Sequence, residues 1–242
     1  MKSLIAVLCQ FVCTMVPVTA LAGDSIELED ARMTLRMIAD IFTSEGRVLY
    51  MQETEVTNWQ YKQFLDSTGK VKADRALLEK SEDGGGTFQI RNPNGSVSLG
   101  FFGCENPALM WSDNKYPEGF ESHPVVLVSP ADCDEFCMWL NKKYASIGHF
   151  RLPTFGEWNL ACYGFTQKYP WGDDFNSSFF HNRNNTSGFG QKNVNRIIDR
   201  YTCNVTQYPK GKTKDGIFGL WGNVNEFVAG QEQPGKRDLK AM

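Results

Sequence analysis

The residues best suited to chemistry are the cysteines, because a thiolate can act as a nucleophile or bind a soft metal. Two of the seven lie in an N-terminal apolar run, at Cys9 and Cys13. The other five are Cys104, Cys133, Cys137, Cys162 and Cys203. This odd number predicts that one thiol stays free or pairs between chains. No Cys-x-x-Cys pair occurs and the three histidines are scattered, which argues against a zinc site.

A second candidate chemistry is cation binding by side-chain and backbone oxygens. Residues 173–215 have little periodicity and many Asn, Gly, Ser and Thr. Such a stretch needs ions or side-chain-to-backbone hydrogen bonds to hold its shape. Asn and Asp are also ordinary turn formers, so composition alone favours turns over an ion site.

A third candidate is a binding face made of aromatic side chains in segments without periodicity. Its members would be Trp111, Tyr116, Phe120, Phe179 and Phe180. Most aromatic side chains in proteins are largely buried. The alternative, that these rings pack the loops of an irregular fold, is therefore favoured.

Two capped helices would position these residues. Thr154 and Glu157 form a Thr-x-x-Glu capping box ahead of a short helix that carries Cys162. Ser129 and Pro130 begin a second helix, as an N-cap followed by proline at the first helical position. In that helix an apolar face is formed by Cys133, Phe136, Cys137 and Leu140. Both of its cysteines are interpreted as small core residues.

The rest of the chain predicts short elements joined by long loops. Residues 24–42 approximate a helical stripe, and residues 48–56 and 123–128 are typical of strands. Thr57 or Asn58 can cap a helix that runs to about residue 66. Residues 67–100 are polar and broken by glycines, which predicts a long loop or an irregular hairpin region.

The N-terminus predicts a cleaved secretion signal. Lys2 precedes an apolar run, and Ala20-Leu21-Ala22 before Gly23 is an Ala-x-Ala cleavage site. Its removal would change the formal net charge from −3 to −4, because it takes one Lys and no acid. The mildly acidic product has no electrostatic footprint for nucleic acid, and no later stretch is long and apolar enough to span a bilayer. A secreted or periplasmic location is predicted.

Six strings occur along the chain in a fixed order: EVTNWQYKQFL (55–65), HPVVLVSPADCDEFCMWLNKKY (123–144), FRLPTFGEW (150–158), YPWGD (169–173), YTCNV (201–205) and FGLWGNVNEF (218–227). Their joint order and spacing resemble one known family, the formylglycine-generating enzymes or sulfatase-modifying factor domains. The resemblance covers roughly residues 48–228. It implies an α+β fold of irregular C-type-lectin-like type, with two main helices, short antiparallel strands and long loops.

The predicted organisation is therefore a signal at 1–22, a helical segment at 23–47, the family domain at 48–228 and an unstructured tail at 229–242. Family enzymes oxidise a cysteine to formylglycine with a copper ion and two cysteines that follow the GNVWEW-like motif. That motif is Gly222-Asn223-Val224-Asn225-Glu226-Phe227 here, and no cysteine occurs among residues 228–242. The resemblance thus implies neither copper nor catalytic residues for this chain.

The resemblance also implies calcium. A first site would use the side chains of Asn184 and Asp199 with the carbonyls of Asn185 and Tyr201. A second would use Glu226 with the carbonyls of Gly222 and Val224. The segment before Gly222 is shorter than in the family, and an Asn or acidic ligand that this segment supplies there is gone.

Three functions are compatible with the sequence. The leading hypothesis is an exported, non-catalytic member of the family that acts as a binding or structural module, with an unidentified protein or glycan ligand. The second is a truncated or frameshifted oxidase that matures sulfatases. The third is a lectin-like ligand-display protein. Copper binding and thiol-dependent oxygen consumption would separate the enzyme from the other two.

Overall fold

The computed structural model describes the side chains and backbone of residues 24–38, 48–72, 111–126, 128–182 and 202–229. For residues 6–7, 12–14, 39, 76–80, 86–91 and 97–102 it describes the backbone only. Within these ranges the chain forms three α-helices and ten short strands. Helices and antiparallel strands mix in one α+β arrangement, as predicted, although there are three helices where two main ones were expected.

The strands lie in three sheets. They are β1 (Ala6–Val7), β2 (Val12–Thr14), β3 (Ser25–Leu28), β4 (Met33–Ala39), β5 (Leu49–Gln52), β6 (Ala76–Lys80), β7 (Gly86–Arg91), β8 (Val97–Phe102), β9 (His149–Arg151) and β10 (Asn225–Glu226). The main sheet has the order β3-β4-β5-β2-β9, and every neighbouring pair in it is antiparallel. β6, β7 and β8 form a separate antiparallel sheet, and β1 pairs with β10 in parallel.

The helix predicted over residues 24–42 is wrong, because β3 and β4 form a hairpin there. Buried side chains alternate with more exposed ones at Ile26, Leu28, Met33 and Leu35, which is the period of a strand. Arg32 makes the turn in the left-handed region, with φ 47°. The few apolar residues that fit a helical stripe fit this alternation equally well.

For residues 67–100 the prediction allowed a long loop or an irregular hairpin region, and the sheet of β6, β7 and β8 supports the hairpin region. β6, β7 and β8 pair as consecutive antiparallel strands, and the residues between them, 81–85 and 92–96, lie outside the described residues. Residues 123–128 do not form a regular strand within the described part, where Pro124 makes an isolated bridge to Thr57. Proline has no N–H to donate to a ladder, which limits pairing there.

The three helices are α1 (Asn58–Thr68), α2 (Pro130–Lys143) and α3 (Phe155–Tyr163). Each begins with a complete capping box, at Thr57, Ser129 and Thr154 respectively. The predicted starts of all three are confirmed. A capping box satisfies two backbone N–H groups that the helix itself cannot, so it fixes where the helix begins.

The core lies between α1, α2 and the main sheet. Phe136 of α2 stacks on Tyr61 of α1 with ring centroids 5.9 Å apart. Phe64 of α1 packs edge-on against the Phe136 ring at a centroid distance of 5.5 Å. The amide of Asn141 joins α2 to β9, since it donates to the Phe150 carbonyl and accepts from the Phe150 N–H at 2.9 and 2.7 Å. These contacts fix α1 and β9 against α2, and the candidate site is built at the end of β5, the strand that precedes α1 in the chain.

Candidate functional site

The candidate site is a buried polar cluster around Glu55, which follows β5 and is fully buried. Asn223 donates a hydrogen bond from Nδ2 to Oε1 of Glu55 at 3.0 Å. The same side chain accepts from the Cys203 N–H at 2.9 Å, and its Nδ2 lies 3.4 Å from the Cys203 carbonyl oxygen. One asparagine therefore ties the chain around residue 203 to the chain around residue 223 and to the end of β5.

The loop that carries Asn223 contains two glycines, Gly219 and Gly222, at positions where other segments of the chain come too close for a side chain. A Cβ on Gly219 would lie 2.3 Å from the Glu55 carboxyl carbon, and φ at this glycine is +78°. A Cβ on Gly222 would lie 2.5 Å from the His181 carbonyl oxygen. Asn223 itself has φ 51°, a left-handed conformation that asparagine tolerates better than most residues. Glycine is therefore required at positions 219 and 222 both by the close contacts and by the positive φ angles.

A second carboxyl, Glu226 in β10, lies in the same environment. Its Oε2 accepts a hydrogen bond from the indole N–H of Trp158 in α3. The residue as a whole keeps some exposed surface, but its Oε1 is shielded from solvent and has no hydrogen-bond partner in the described structure. The Oε2 atom of Glu55 is likewise shielded from solvent and has no hydrogen-bond partner in the described structure.

Burial changes the protonation of both carboxyls. It raises the pKa of Glu55 from 4.5 to about 7, an effect that hydrogen bonds from the backbone and Asn223 reduce. Burial and then the charge of Glu55 raise the pKa of Glu226 to about 8. A buried pair of carboxyls without a cation therefore holds protons near neutral pH. This pair can keep those protons or bind a cation.

The predicted calcium site requires the second of these states. Hard cations take carboxylate and carbonyl oxygens, and Glu226 offers a shielded carboxylate oxygen that has no donor. Gly222 and Val224 precede it in the same loop, so this predicted ligand set is local in the chain. Asn184, Asn185, Asp199 and Tyr201, the other predicted ligands, lie outside the described residues. Within the described ranges no three His, Cys, Asp or Glu side chains cluster as metal ligands would.

The described cysteines are core residues. Cys133, Cys137, Cys162 and Cys203 are all buried. Burial, as the largest cause, raises the pKa of the Cys137 thiol far above its usual range and that of the Cys162 thiol to about 12. Thiol oxidation and soft-metal binding need the thiolate. The prediction that Cys133 and Cys137 fill the core is confirmed.

The predicted aromatic face divides in two. Trp111 and Phe120 are buried, as the packing alternative predicted, and Tyr116 packs edge-on against Trp111 at 5.4 Å. Phe179 and Phe180 are only partly buried. The five predicted residues therefore do not form one face.

Phe180 belongs to a three-ring stack that sequence reasoning missed. Trp171 lies between Tyr169 and Phe180, with centroids 5.5 and 5.7 Å apart and planes inclined by 8° and 17°. Trp221 stands nearly perpendicular to all three rings. The Tyr-Pro-Trp-Gly-Asp string was the available signal, because aromatic residues on either side of a turn are brought together by it.

Beside this stack is a shallow, open depression whose cavity volume is only about 20 Å³. Its lining combines aromatic and polar side chains, among them Phe179, Phe180, Tyr208, Trp221, Asn204 and Asn223. Drug-sized ligands occupy clefts of about 300 Å³ or more. This depression has room for about one water molecule, so a side chain or a sugar ring would bind over it rather than inside it.

The fold and these motifs define the class of protein. A family profile described as "Sulfatase-modifying factor enzyme 1-like domain" matches residues 41–238, and the chain belongs to that family. Formylglycine-generating enzyme from Mus musculus is 28% identical over 196 residues, which cover 74% of this chain and 48% of that protein. The chain thus spans about half the length of this curated relative.

Two further relatives differ in what their names state. Inactive C-alpha-formylglycine-generating enzyme 2 from Bos taurus is 32% identical over 123 residues, covering 49% of this chain and 36% of that protein. Formylglycine-generating enzyme from Mycobacterium tuberculosis is 26% identical over 219 residues, covering 82% and 69%. No solved structure matches the chain. None of the helices in the described part is long and apolar enough to cross a membrane.

Proposed function

We propose that this chain is an exported binding or structural module of the sulfatase-modifying factor family that does not itself oxidise thiols. The observation that carries the proposal is the state of the described cysteines, all of which are buried. Cys137 and Cys162 have thiol pKa values far above neutral, so neither offers a thiolate. The existence of a relative named inactive agrees with such a role.

The ligand of this module is a protein or a glycan. Support comes from the surface beside the stack of Tyr169, Trp171 and Phe180, where aromatic rings lie next to the side-chain amide of Asn204. Aromatic rings supply apolar contact area and amides supply orientation, which is the usual composition of a binding site. A C-type-lectin-like backbone would present such loops on one side of the domain.

Calcium, where bound, would neutralise the buried carboxyl of Glu226 and order the loop that holds it. Glu226 would supply a carboxylate oxygen, and Gly222 and Val224 would supply carbonyls. The first predicted set, Asn184, Asn185, Asp199 and Tyr201, would serve the same purpose in the neighbouring loop. Both sites are structural in this proposal, since a hard cation does not promote thiol oxidation.

The test is oxygen consumption by the purified chain with copper(I) and a cysteine-containing sulfatase peptide. An established formylglycine-generating enzyme in the same assay is the positive control. We expect consumption at the rate of peptide and copper alone, and no aldehyde on the peptide. Peptide-dependent oxygen uptake with aldehyde formation would overturn the proposal.

The second candidate is that a longer polypeptide carries this segment and is a sulfatase-maturing oxidase. The observation in its favour is the match of residues 41–238 to a family that includes named enzymes from Mus musculus and Mycobacterium tuberculosis. Sequencing the gene through and beyond codon 242, with translation in all three frames, tests it. A cysteine pair after the Gly-Asn-Val-Asn-Glu-Phe motif in any frame would support the oxidase. The absence of such a pair would count against it.

A further inference from the structure

Two carboxylate oxygens have no partner inside the described structure, and they belong to distant segments of the chain. One is Oε2 of Glu55, a residue that is 0% exposed and whose Oε1 accepts from Asn223. The other is Oε1 of Glu226, whose Oε2 accepts from the indole of Trp158. A buried charge is costly unless it is paired, and a buried polar atom normally has a partner. Each carboxyl thus has one oxygen engaged with the protein and one oxygen available to a ligand.

One loop, residues 219–226, brings the two carboxyls together. The backbone of Gly219 lies directly against the Glu55 carboxyl, since a Cβ at this glycine would overlap both carboxylate oxygens. Asn223 donates to Glu55 Oε1 at 3.0 Å from further along the same loop. The charge of Glu55 raises the pKa of Glu226, so the two groups are within electrostatic reach of each other.

This loop also carries the predicted calcium ligands Gly222, Val224 and Glu226. By resemblance, the longer family segment supplies a further Asn or acidic ligand just before Gly222, and this chain lacks it. Glu55 brings a carboxylate to the backbone of the shortened segment, at Gly219, from a distant part of the sequence. A carboxylate from outside the loop therefore lies next to the segment that lacks one.

We propose that Glu55 is a direct ligand of a calcium ion bound at this loop. Glu226 supplies the second carboxylate, and Gly222 and Val224 supply carbonyl oxygens. Two ionised carboxylates balance the charge of one divalent cation, and calcium accepts irregular sets of carboxylate and carbonyl oxygens. Magnesium fits less well because it demands near-octahedral geometry, and zinc and copper(I) prefer nitrogen or sulfur ligands. This inference rests on the calcium site proposed above and adds a ligand to it.

A cation shared by both carboxyls ties separate elements together. Glu55 follows β5, and Glu226 lies in β10. Trp158 of α3 holds the second oxygen of Glu226, so the link extends to that helix. Calcium binding therefore stabilises the folded chain, and its loss leaves two buried carboxyls beside each other.

The experiment is a calcium titration by isothermal calorimetry of the full chain, in which Asp199→Ala removes the first predicted ion site. In this background, Glu55→Gln keeps an oxygen that can accept from Asn223 but removes the charge and the second oxygen. Glu226→Gln gives the effect of losing a predicted carboxylate ligand. Glu118→Gln makes the same change in net charge at an exposed side chain and is the matched control. Thermal melts with a chelator present show whether each variant folds.

We expect the Asp199→Ala chain to bind a single calcium ion. Glu55→Gln and Glu226→Gln should each weaken the affinity about tenfold or more, because the number of charged ligands sets calcium affinity. Glu118→Gln should bind calcium as its parent does. With a chelator present, Glu55→Gln should melt no earlier than its parent, since a neutral amide relieves the repulsion between two buried carboxyls.

If Glu55→Gln binds calcium as tightly as its parent while Glu226→Gln binds weakly, Glu55 is not a ligand and the inference is overturned. A folded Asp199→Ala chain that binds no calcium would overturn the loop site as well. If Glu55→Gln does not fold, Glu55→Asp takes its place. It keeps the charge and withdraws the oxygens by one methylene, so it should weaken binding, and an unchanged affinity would overturn the inference.

None of these outcomes concerns oxygen consumption or aldehyde formation. Failure of the calcium site and failure of the proposed non-oxidising function are therefore distinguishable.

Discussion

Asn223→Ala is the substitution with the largest predicted effect on stability at the candidate site. The side chain donates to Glu55 at 3.0 Å and accepts from the Cys203 N–H at 2.9 Å. Removing the hydrogen-bond partner of a buried polar group costs about 1–3 kcal/mol. In this variant both the Glu55 carboxylate and the Cys203 N–H lose a partner. Because φ at this position is 51°, alanine adds about 1–2 kcal/mol of backbone strain. The free energy of unfolding should fall by about 5 kcal/mol.

The matched control is Asp113→Ala. Asp113 has nearly the same backbone angle, φ 50°, but its side chain is exposed and makes one long contact of 3.5 Å with Ser112. Its substitution should cost only the strain, about 1–2 kcal/mol. The difference between the two variants isolates the hydrogen bonds of Asn223.

Urea unfolding of both variants, followed by tryptophan fluorescence, measures the difference. The midpoint should shift much further for Asn223→Ala, with an unchanged denaturant slope. Equal shifts for the two variants, within about 1 kcal/mol, would refute the view that Asn223 joins three segments of the chain.

Three further predictions concern the pH dependence, the aromatic stack and calcium. Because the pKa of Glu55 rises from 4.5 to about 7 on folding, the folded state binds more protons, and the stability that protonated Glu55 contributes is lost as pH rises from 4.5 to about 7. Glu55→Gln should remove that loss, as measured by urea unfolding at about pH 5 and about pH 8 with a chelator present; an identical pH slope in both proteins would contradict it. Trp171→Ala removes the middle ring of the stack and should lower stability by about 2–3 kcal/mol, whereas Phe165→Ala, at a side chain 85% exposed, should change it by less than about 0.5. Asp199→Ala should remove the part of the calcium stabilisation that the first ion site supplies, seen as a smaller calcium-induced rise in melting temperature than in the parent chain; a parent chain whose melting does not change with calcium would count against both ion sites.

The helix starts were predictable because they depend on local chemistry. Thr57, Ser129 and Thr154 each bond to a backbone N–H three residues on, and this needs no information from the rest of the chain. The burial of Cys133 and Cys137 followed from helical periodicity in the same way.

The hairpin of β3 and β4 was not predictable from its short apolar pattern. Over this length, Leu28 and Leu35 fit a helix stripe and a strand face equally, and pairing with β5 decides between them. The strand at Val12–Thr14 was missed for a related reason. An apolar run beside a cleavage motif indicates a signal, and only the tertiary fold shows that β5 and β9 have room for it.

The polar cluster was predictable only in part. The Gly-Asn-Val-Asn-Glu string indicated that Glu226 matters, but Glu55 lies 168 residues from Asn223, and nothing local indicates that they meet. A glutamate next to a helix cap is usually solvated, so burial of Glu55 is a product of the way residues 219–226 close over β5.

The central claim, that Cys137 and Cys162 are structural and form no thiolate near neutral pH, is tested most directly by alkylation of the native chain. The folded protein is treated with iodoacetamide from about pH 7 to about pH 9, and modified positions are found by peptide mass spectrometry. Cys137 and Cys162 should stay unmodified until the chain is unfolded, because burial keeps their thiols protonated. Alkylation of either at near-neutral pH, at the rate of an exposed thiol, would contradict the account and restore thiol chemistry as a function of this chain.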